Sequence, residues 1–481
     1  MARMPREAYG EIVKLGGIRV TLESLRRKPH DQQIAKFAMR VLQGIVQSPA
    51  HTEHFCELGG VVVVLHVLRE NPTSFELQTA CLTLLKLLAA QRESVAKLIV
   101  DYRGINMVLE SVRMAAAFEA SGGFDVLFVQ AMNVLSLLRA PLRNTEELVK
   151  DLGGAELILS ALQAHPLSEK VQCAGCMLIG LLCSGNPASA QLLYDMGAHA
   201  VVIEAMRNHT ESVHWLACQA LFGLPKCAGQ AIMDMGGIAA VLNVVRKTPG
   251  EKEVAISALR FCCKFLCDTP QLEAFYQQGG VEMIVSEMRA LPAEKEVQSK
   301  GLKMLKSLAV MQQGAARDMV DAGGAAVVLA AARSSEDLAN LGAEALVTFM
   351  PLLIEDMEGT PQLDICLQAC DALLLIGRAP ALRRQVFALP GLKAIIEKVM
   401  SHFAADVAFQ ELGCRVLEAL EGEAKLQAAG AASHRSASPP ASSAAPAGQA
   451  AVVAPQPPLQ PPWLTAAWRH HQQLQQRNER P

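Results

Sequence analysis

Two cysteine pairs and one histidine cluster have a spacing that could do chemistry. Cys173 and Cys176 form Cys-x-x-Cys, and Cys366 and Cys370 stand four apart. A dithiol redox centre uses such a pair, and a zinc shell needs a second pair or histidines to complete it. Both pairs fall on the small-residue face of an apolar helix, where free cysteine behaves as a small hydrophobe, so the expectation is core. His51, His54 and Cys56 cluster across a helix start and read as an exposed first turn rather than a metal site. Glycine pairs such as Gly59-Gly60 and Gly153-Gly154 could cradle a phosphate, but they recur at regular intervals and follow helices, not strands. They read as corners. The phosphate-loop, Gly-x-Ser-x-Gly, His-Glu-x-x-His and EF-hand patterns are absent. No nucleophile, base and orienting group can be assembled, so the expectation is no catalysis, no cofactor and no metal.

Composition narrows the class further. Of 481 residues 51% are hydrophobic and only 4% aromatic, and 44 Lys plus Arg against 47 Asp plus Glu leave a net charge of -3. Ala, Leu and Val dominate, which suits close helix packing. Near-neutral charge argues against a whole-surface nucleic-acid or membrane partner. The 13 cysteines are odd in number and sit mostly in apolar runs such as Leu259-Arg260-Phe261-Cys262-Cys263, which fits reduced thiols rather than a secreted disulfide scaffold. Met1 to Gly10 carries no apolar signal region, and no run of about 18 uncharged apolar residues stands out as a membrane span. The expected compartment is the cytoplasm or the nucleus.

A repeat governs the elements that must position any site. A short helical phrase ends at a glycine corner, an apolar segment follows, and a longer amphipathic helix comes next. Corners close at Gly17, Gly60, Gly104, Gly154, Gly237, Gly280, Gly324 and Gly391, with Ala198 taking the glycine's place once. Successive intervals are 43, 44, 50, 44, 39, 43, 44 and 67 residues. Corner phrases such as Asp234-Met235-Gly236-Gly237 and Asp321-Ala322-Gly323-Gly324 recur, a glycine supplying the left-handed turn between helices. Long-helix phrases begin Val171-Gln172 and Val297-Gln298 and carry a small residue (Gly175, Gly301, Ala217, Ala258) where a neighbour can come close.

These phrases and a period near 40–47 residues resemble the armadillo repeat family, over roughly Pro5 to Lys425. The resemblance implies an all-α, right-handed superhelical solenoid of about ten repeats over residues 1–425, whose third helices line a concave groove that binds partners. Departures from the period carry expectations of their own. The late corner at Gly154 places an insertion loop near Ser121-Gly122-Gly123. The 67-residue interval is expected to hold long helices near Leu338–Phe349 and Ile365–Ile376 with a short helix, Pro351–Glu358, between them. The chain begins inside a repeat, at Arg6 to Gly17, with no recognisable polar cap. Residues 426–462, rich in Ala, Pro and Ser, are expected to be a disordered linker. Residues 463–481, with Trp463 and Trp468, suit a short helix or linear motif.

Two positions per long helix are expected to face the groove. In armadillo proteins that carry nuclear-import cargo these hold Trp and Asn. Here they hold Arg40 and Gly44, Thr83 and Leu87, Asn133 and Leu137, Met177 and Leu181, Gln219 and Gly223, Arg260 and Lys264, and so on, none matching that ladder. The groove is expected to divide into an apolar half, Leu87, Leu137, Met177 and Leu181, and a basic half, Lys226, Arg260, Lys264, Lys300 and Lys303. Such a surface suits an acidic extended or helical segment of another protein, its apolar anchors in the first half. Trp215 reads as core, and without interleaved aromatics nucleic acid is a weaker candidate. The expected function is a non-catalytic interaction scaffold. The alternatives are the regulatory or targeting arm of a larger enzyme such as a kinase, and a transport receptor or small-GTPase regulator.

Overall fold

The computed structural model describes residues 6–435 apart from 118–122, 140–145, 210–211, 312–313 and 360, and the described residues are helical without a strand. The insertion loop expected near Gly122, the linker beyond Arg435 and the segment 463–481 therefore lie outside the described residues. Two compact units divide the chain, one ending at Leu266 and the other beginning at Cys267.

Each complete repeat is a short first helix, an eleven-residue or slightly longer second helix and a long third helix. In the second repeat these are Pro49–Glu57, Gly60–Glu70 and Phe75–Gln91. The first unit carries six third helices: Gln32–Ile45, Phe75–Gln91, Phe124–Leu138, Glu169–Cys183, Ser212–Gly223 and Lys252–Phe265. Within the unit each of the first five packs on the third helix of the next repeat, while second helices pack on second helices. Two helical layers result, with the apolar stripes between them. In the fourth repeat the first helix is reduced to a π-helical turn, Glu147–Asp151.

The corners work as two residues with different jobs. Gly59 is left-handed at φ 70, which glycine adopts without steric cost. Its successor Gly60 lies so close to the first helix that an added Cβ would stand 2.3 Å from the Phe55 ring. At the third corner a non-glycine, Arg103, takes the left-handed turn at φ 56. A recurrent arginine ties corners together. Arg26, Arg113 and Arg289, each near the end of a second helix, donate to the carbonyl just before the next repeat's corner, at Leu58, Leu152 and Ala322 (2.5, 2.6 and 2.8 Å). Arg207 does the same to Met235. These carbonyls end a first helix and lack an intrahelical donor.

A second device joins the second helix to the third. Gln78 is buried and its Nε2 donates to Leu68 O and Asn71 O (2.6 and 2.8 Å). Gln172 holds Leu162 O and His165 O, Gln298 holds Met288 O and Leu291 O, and Gln410 holds Met400 O and Phe403 O. The Val-Gln phrase visible in the sequence is thus a clamp: one primary amide donates both its hydrogens to the carbonyls that end the second helix.

The second unit departs from the expected plan in its middle. Glu336–Gly359 is one continuous 24-residue helix with Pro351 inside it, not a long helix followed by a separate short one. Proline removes one backbone donor, but buried Met350, Leu353 and Met357 hold the turns on either side of it. This helix packs on Lys295–Met311, on Leu363–Gly377 and on Leu392–His402, so it serves as the third helix of one repeat and the second of the next. It is also long and apolar enough to cross a membrane, yet most of its apolar stretch is buried inside the fold. The last helix, Val407–Arg435, continues past the expected boundary at 425, since alanine-rich chain extends a helix readily.

Candidate functional site

The outer face of the third-helix layer in the first unit is where side chains come together without being sealed in. Along Glu169–Cys183 the residues Cys173, Met177 and Leu181 are half-buried, while Ala174, Cys176, Leu178 and Ile179 are buried. The same alternation sets Val129, Asn133 and Leu137 on the preceding third helix, and Trp215, Gln219 and Gly223 on the following one. Ile256, Arg260 and Lys264 take these places on Lys252–Phe265. Spacing of four residues keeps each trio on one helix face. Three rows therefore cross the layer: Val129, Cys173, Trp215 and Ile256 first, then Asn133, Met177, Gln219 and Arg260, then Leu137, Leu181, Gly223 and Lys264.

Small residues draw the middle of this surface tight. A Cβ on Gly180 would stand 3.4 Å from Ala220 Cα, and one on Gly223 would stand 2.7 Å from Cys183 Cβ. The fourth and fifth third helices thus meet with little side chain between them, which places Met177 and Leu181 beside the helix that carries Trp215.

Leu87, Leu137, Met177 and Leu181 are each half-buried on the outer face of a third helix. Lys226, by contrast, is exposed and opens the one-turn helix Lys226–Ala228 that begins the sixth repeat, so it does not sit on a third helix. Lys264 is committed locally. Its Nζ donates to Phe222 O and Leu224 O, both at 2.6 Å, and lies 5.0 Å from the centre of the Phe222 ring. It caps the end of Ser212–Gly223, and burial, with Lys226 nearby, pulls its pKa below the usual lysine range. Arg260 is half-buried and has partners of its own. Lys300, likewise engaged, and exposed Lys303 belong to the second unit.

The first row escaped sequence reasoning. Only two positions per helix were assigned to this face, and Trp215 reads as core from its apolar neighbours. The signal was present, since Cys173 and Trp215 stand one turn before Met177 and Gln219. Trp215 is half-buried on the open face rather than in the core.

Of the residues weighed for chemistry, Cys173 stands half-buried in the first row rather than in the core, and the others fall elsewhere. Cys176 is buried beside Cys218, and burial pushes both thiols up to about 12. Cys366 and Cys370 are buried, their thiols pushed up to about 11 and about 12. A thiol held protonated is a poor nucleophile. His51 Nδ1 contacts Ile45 O at 3.2 Å and His54 Nδ1 lies 3.5 Å from Glu57, so the two rings point to different partners.

No protein-family model and no curated protein matches the chain. Solved structures do. An engineered protein from a structural-genomics consortium matches with a TM-score of 0.56 at 22% identity, covering 84% of this chain and 98% of its own. A structure from work on a phosphorylation switch controlling the interaction between cadherin and beta-catenin matches with a TM-score of 0.57 at 13% identity. That match covers 85% of this chain and 86% of the other. At such identities the likeness is one of fold, and it agrees with the repeat geometry: the chain is an all-α helical-repeat solenoid.

Proposed function

We propose that the chain is a non-catalytic, armadillo-type scaffold that holds a segment of another protein on the open face of its third helices. The observation that carries this reading is the set of half-buried rows centred on Met177, Leu181 and Trp215. Partly covered apolar side chains on a rigid layer suit the anchor residues of an extended or helical peptide. A helical-repeat neighbour whose subject is the interaction of beta-catenin with cadherin supports the choice of a protein partner. The first unit carries Lys226 and Arg260, and Lys300 and Lys303 give the second unit basic residues of its own. An acidic segment fits both. The 13 free thiols fit a reducing compartment, the cytoplasm or nucleus.

The test is capture of partners from native lysate with the full chain and two variant sets. Met177→Glu with Leu181→Glu charges the apolar rows, and Lys226→Glu with Lys303→Glu reverses exposed cations. A shared partner lost at least tenfold by the first set supports the surface. Partner recovery unchanged by both sets, with helicity retained, overturns it.

A further inference from the structure

In the fifth repeat the clamp between second and third helices is built from histidine instead of glutamine. His214 occupies the place of Gln78, Gln172, Gln298 and Gln410, is 1% exposed, and its Nε2 lies 2.7 Å from His209 O. That carbonyl ends the second helix Ala198–Asn208. His209 is itself buried and reaches back to the preceding repeat, its Nε2 2.7 Å from Pro166 O. In the second repeat Asn71 makes the corresponding reach to Pro29 O at 2.8 Å. Amides that do not titrate are thus replaced, in this repeat, by two imidazoles.

The geometry sets the charge state of His214. Facing a carbonyl, Nε2 must carry the hydrogen, while Nδ1 is buried with no hydrogen-bond partner. Adding a proton at Nδ1 would bury a cationic N–H with no acceptor. The carbonyls of His209 and Met206 favour a charged ring, but burial outweighs them. From the second helix and its end come backbone carbonyls and His209; from Gly237–Lys247 comes the cation Lys247. On the flanking third helices Cys176 and Cys218 are buried neutral thiols. Glu169 is hydrogen-bonded to Ser212, and Lys252 and Glu253 are exposed at the start of the next third helix. Burial accordingly holds the His214 pKa below the usual histidine range.

We propose that His214 is an acid-sensitive latch that releases the fifth repeat and so loosens the partner-binding face at mildly acidic pH. The consequence for binding rests on the surface reading above, because Trp215 is the next residue and shares the latch helix. The latch itself does not depend on that reading. The sign follows from linkage. The folded repeat keeps His214 neutral, and the opened repeat takes the proton at the ordinary histidine pKa of about 6.5. Stability of the latch is therefore complete above that pH and declines below it, the opening constant rising at most about tenfold per pH unit as His214 gains its proton.

The experiment is segment-resolved hydrogen exchange on the full chain at pH 7.5 and pH 5.0, corrected for intrinsic exchange, comparing wild type with His214→Gln. Wild type is expected to lose at least tenfold protection across 198–223 between the two pH values. His214→Gln, which restores the amide used in four other repeats, is expected to keep its protection. A variant that opens with acid as much as wild type overturns the latch, as does a wild type whose protection holds at pH 5.0. Should His214→Gln fail to fold, a ring titration of His214 by NMR in the wild type decides: a pKa of 6.5 or above overturns the latch, and one below 6 supports it. Partner capture at both pH values separates the two ideas. Acid opening with capture insensitive to Met177→Glu and Leu181→Glu fails the binding surface alone, and capture that needs those residues without acid opening fails the latch alone.

Discussion

Side chains that cross from one third helix or its neighbours to the next repeat end on a different balance of acceptors in the two units. In the first unit Gln43 donates to Ala80 O, Arg139 to Leu181 O at 3.1 Å, and Lys264 to Phe222 O and Leu224 O. In the second unit ion pairs are the more frequent crossing: Lys306 with Glu344 at 2.6 Å, Arg317 with Asp356 at 2.7 Å, Arg333 with Asp371 at 2.5 Å and Arg383 with Glu423 at 2.7 Å, beside Lys398 donating to Glu358 O. Carboxylates serve in the first unit as well: Glu76 is shared by Lys36 and Arg40, Glu53 pairs with Arg92, and Asp125 and Glu169 accept from Ser168 and Ser212. Backbone carbonyls do not titrate and carboxylates do. The same repeat architecture is therefore joined by contacts that answer differently to pH and salt.

The hardest break is at the most buried of these ion pairs. Glu423 is 4% exposed, so Arg383→Leu removes a cation 2.7 Å from a buried carboxylate and is expected to cost about 3 kcal/mol in urea unfolding of the second unit. Lys264→Met in the first unit frees two carbonyls of one helix end without stranding a charge, and the expected cost is nearer 1 kcal/mol. Equal costs would erase the contrast.

Next in size come the glutamine clamps, which both units share. Gln172→Leu and Gln298→Leu each strand two carbonyls at the end of a second helix, for about 2 kcal/mol apiece. Similar values in the two units would show that the clamp belongs to the repeat and not to its neighbourhood.

Acid sharpens the comparison further. The Glu421 carboxyl is held below the usual carboxylate range by its hydrogen bond and charge pairing with Lys393, as Glu76 is by Lys36. Groups depressed in this way stabilise the fold above their ordinary pKa, and the contribution fades as pH falls toward the lowered value. Hydrogen exchange stepped from pH 6 to pH 4 is expected to show protection falling across Leu363–Gly377 and Val407–Arg435 before it falls across Lys252–Phe265. The reverse order would contradict the assignment. The smallest effect is expected at a corner: Arg289→Ala removes one exposed hydrogen bond to Ala322 O, worth about 0.5 kcal/mol. A larger loss would mean that the corner arginines organise the second-helix layer.

Much of this architecture was legible in the residues. The glycine pairs locate the corners, because a left-handed turn and a close helix approach each favour a missing Cβ, although Arg103 and Ala198 stand in for a glycine once each. The Val-Gln phrase marks where third helices begin. The fused helix Glu336–Gly359 was not legible, since Pro351 ordinarily ends a helix and only tertiary packing around Leu353 and Met357 carries it through. The candidate surface was half legible. Met177 and Leu181 follow from helical spacing, whereas an apolar Trp215 looks the same in sequence whether it faces the core or the open side.

By itself, then, the order of residues determined the repeat, its period and its two-layer helical character, because these depend on local turns and on apolar spacing along one helix. Tertiary structure alone decided that Lys264 closes a neighbouring helix end instead of facing a partner, that Trp215 stands at the open face, and that His214 does a glutamine's work in a buried clamp. Each of those outcomes depends on which atoms of the next repeat come within hydrogen-bonding or van der Waals reach, and residues about forty apart in sequence meet only once the layers have stacked.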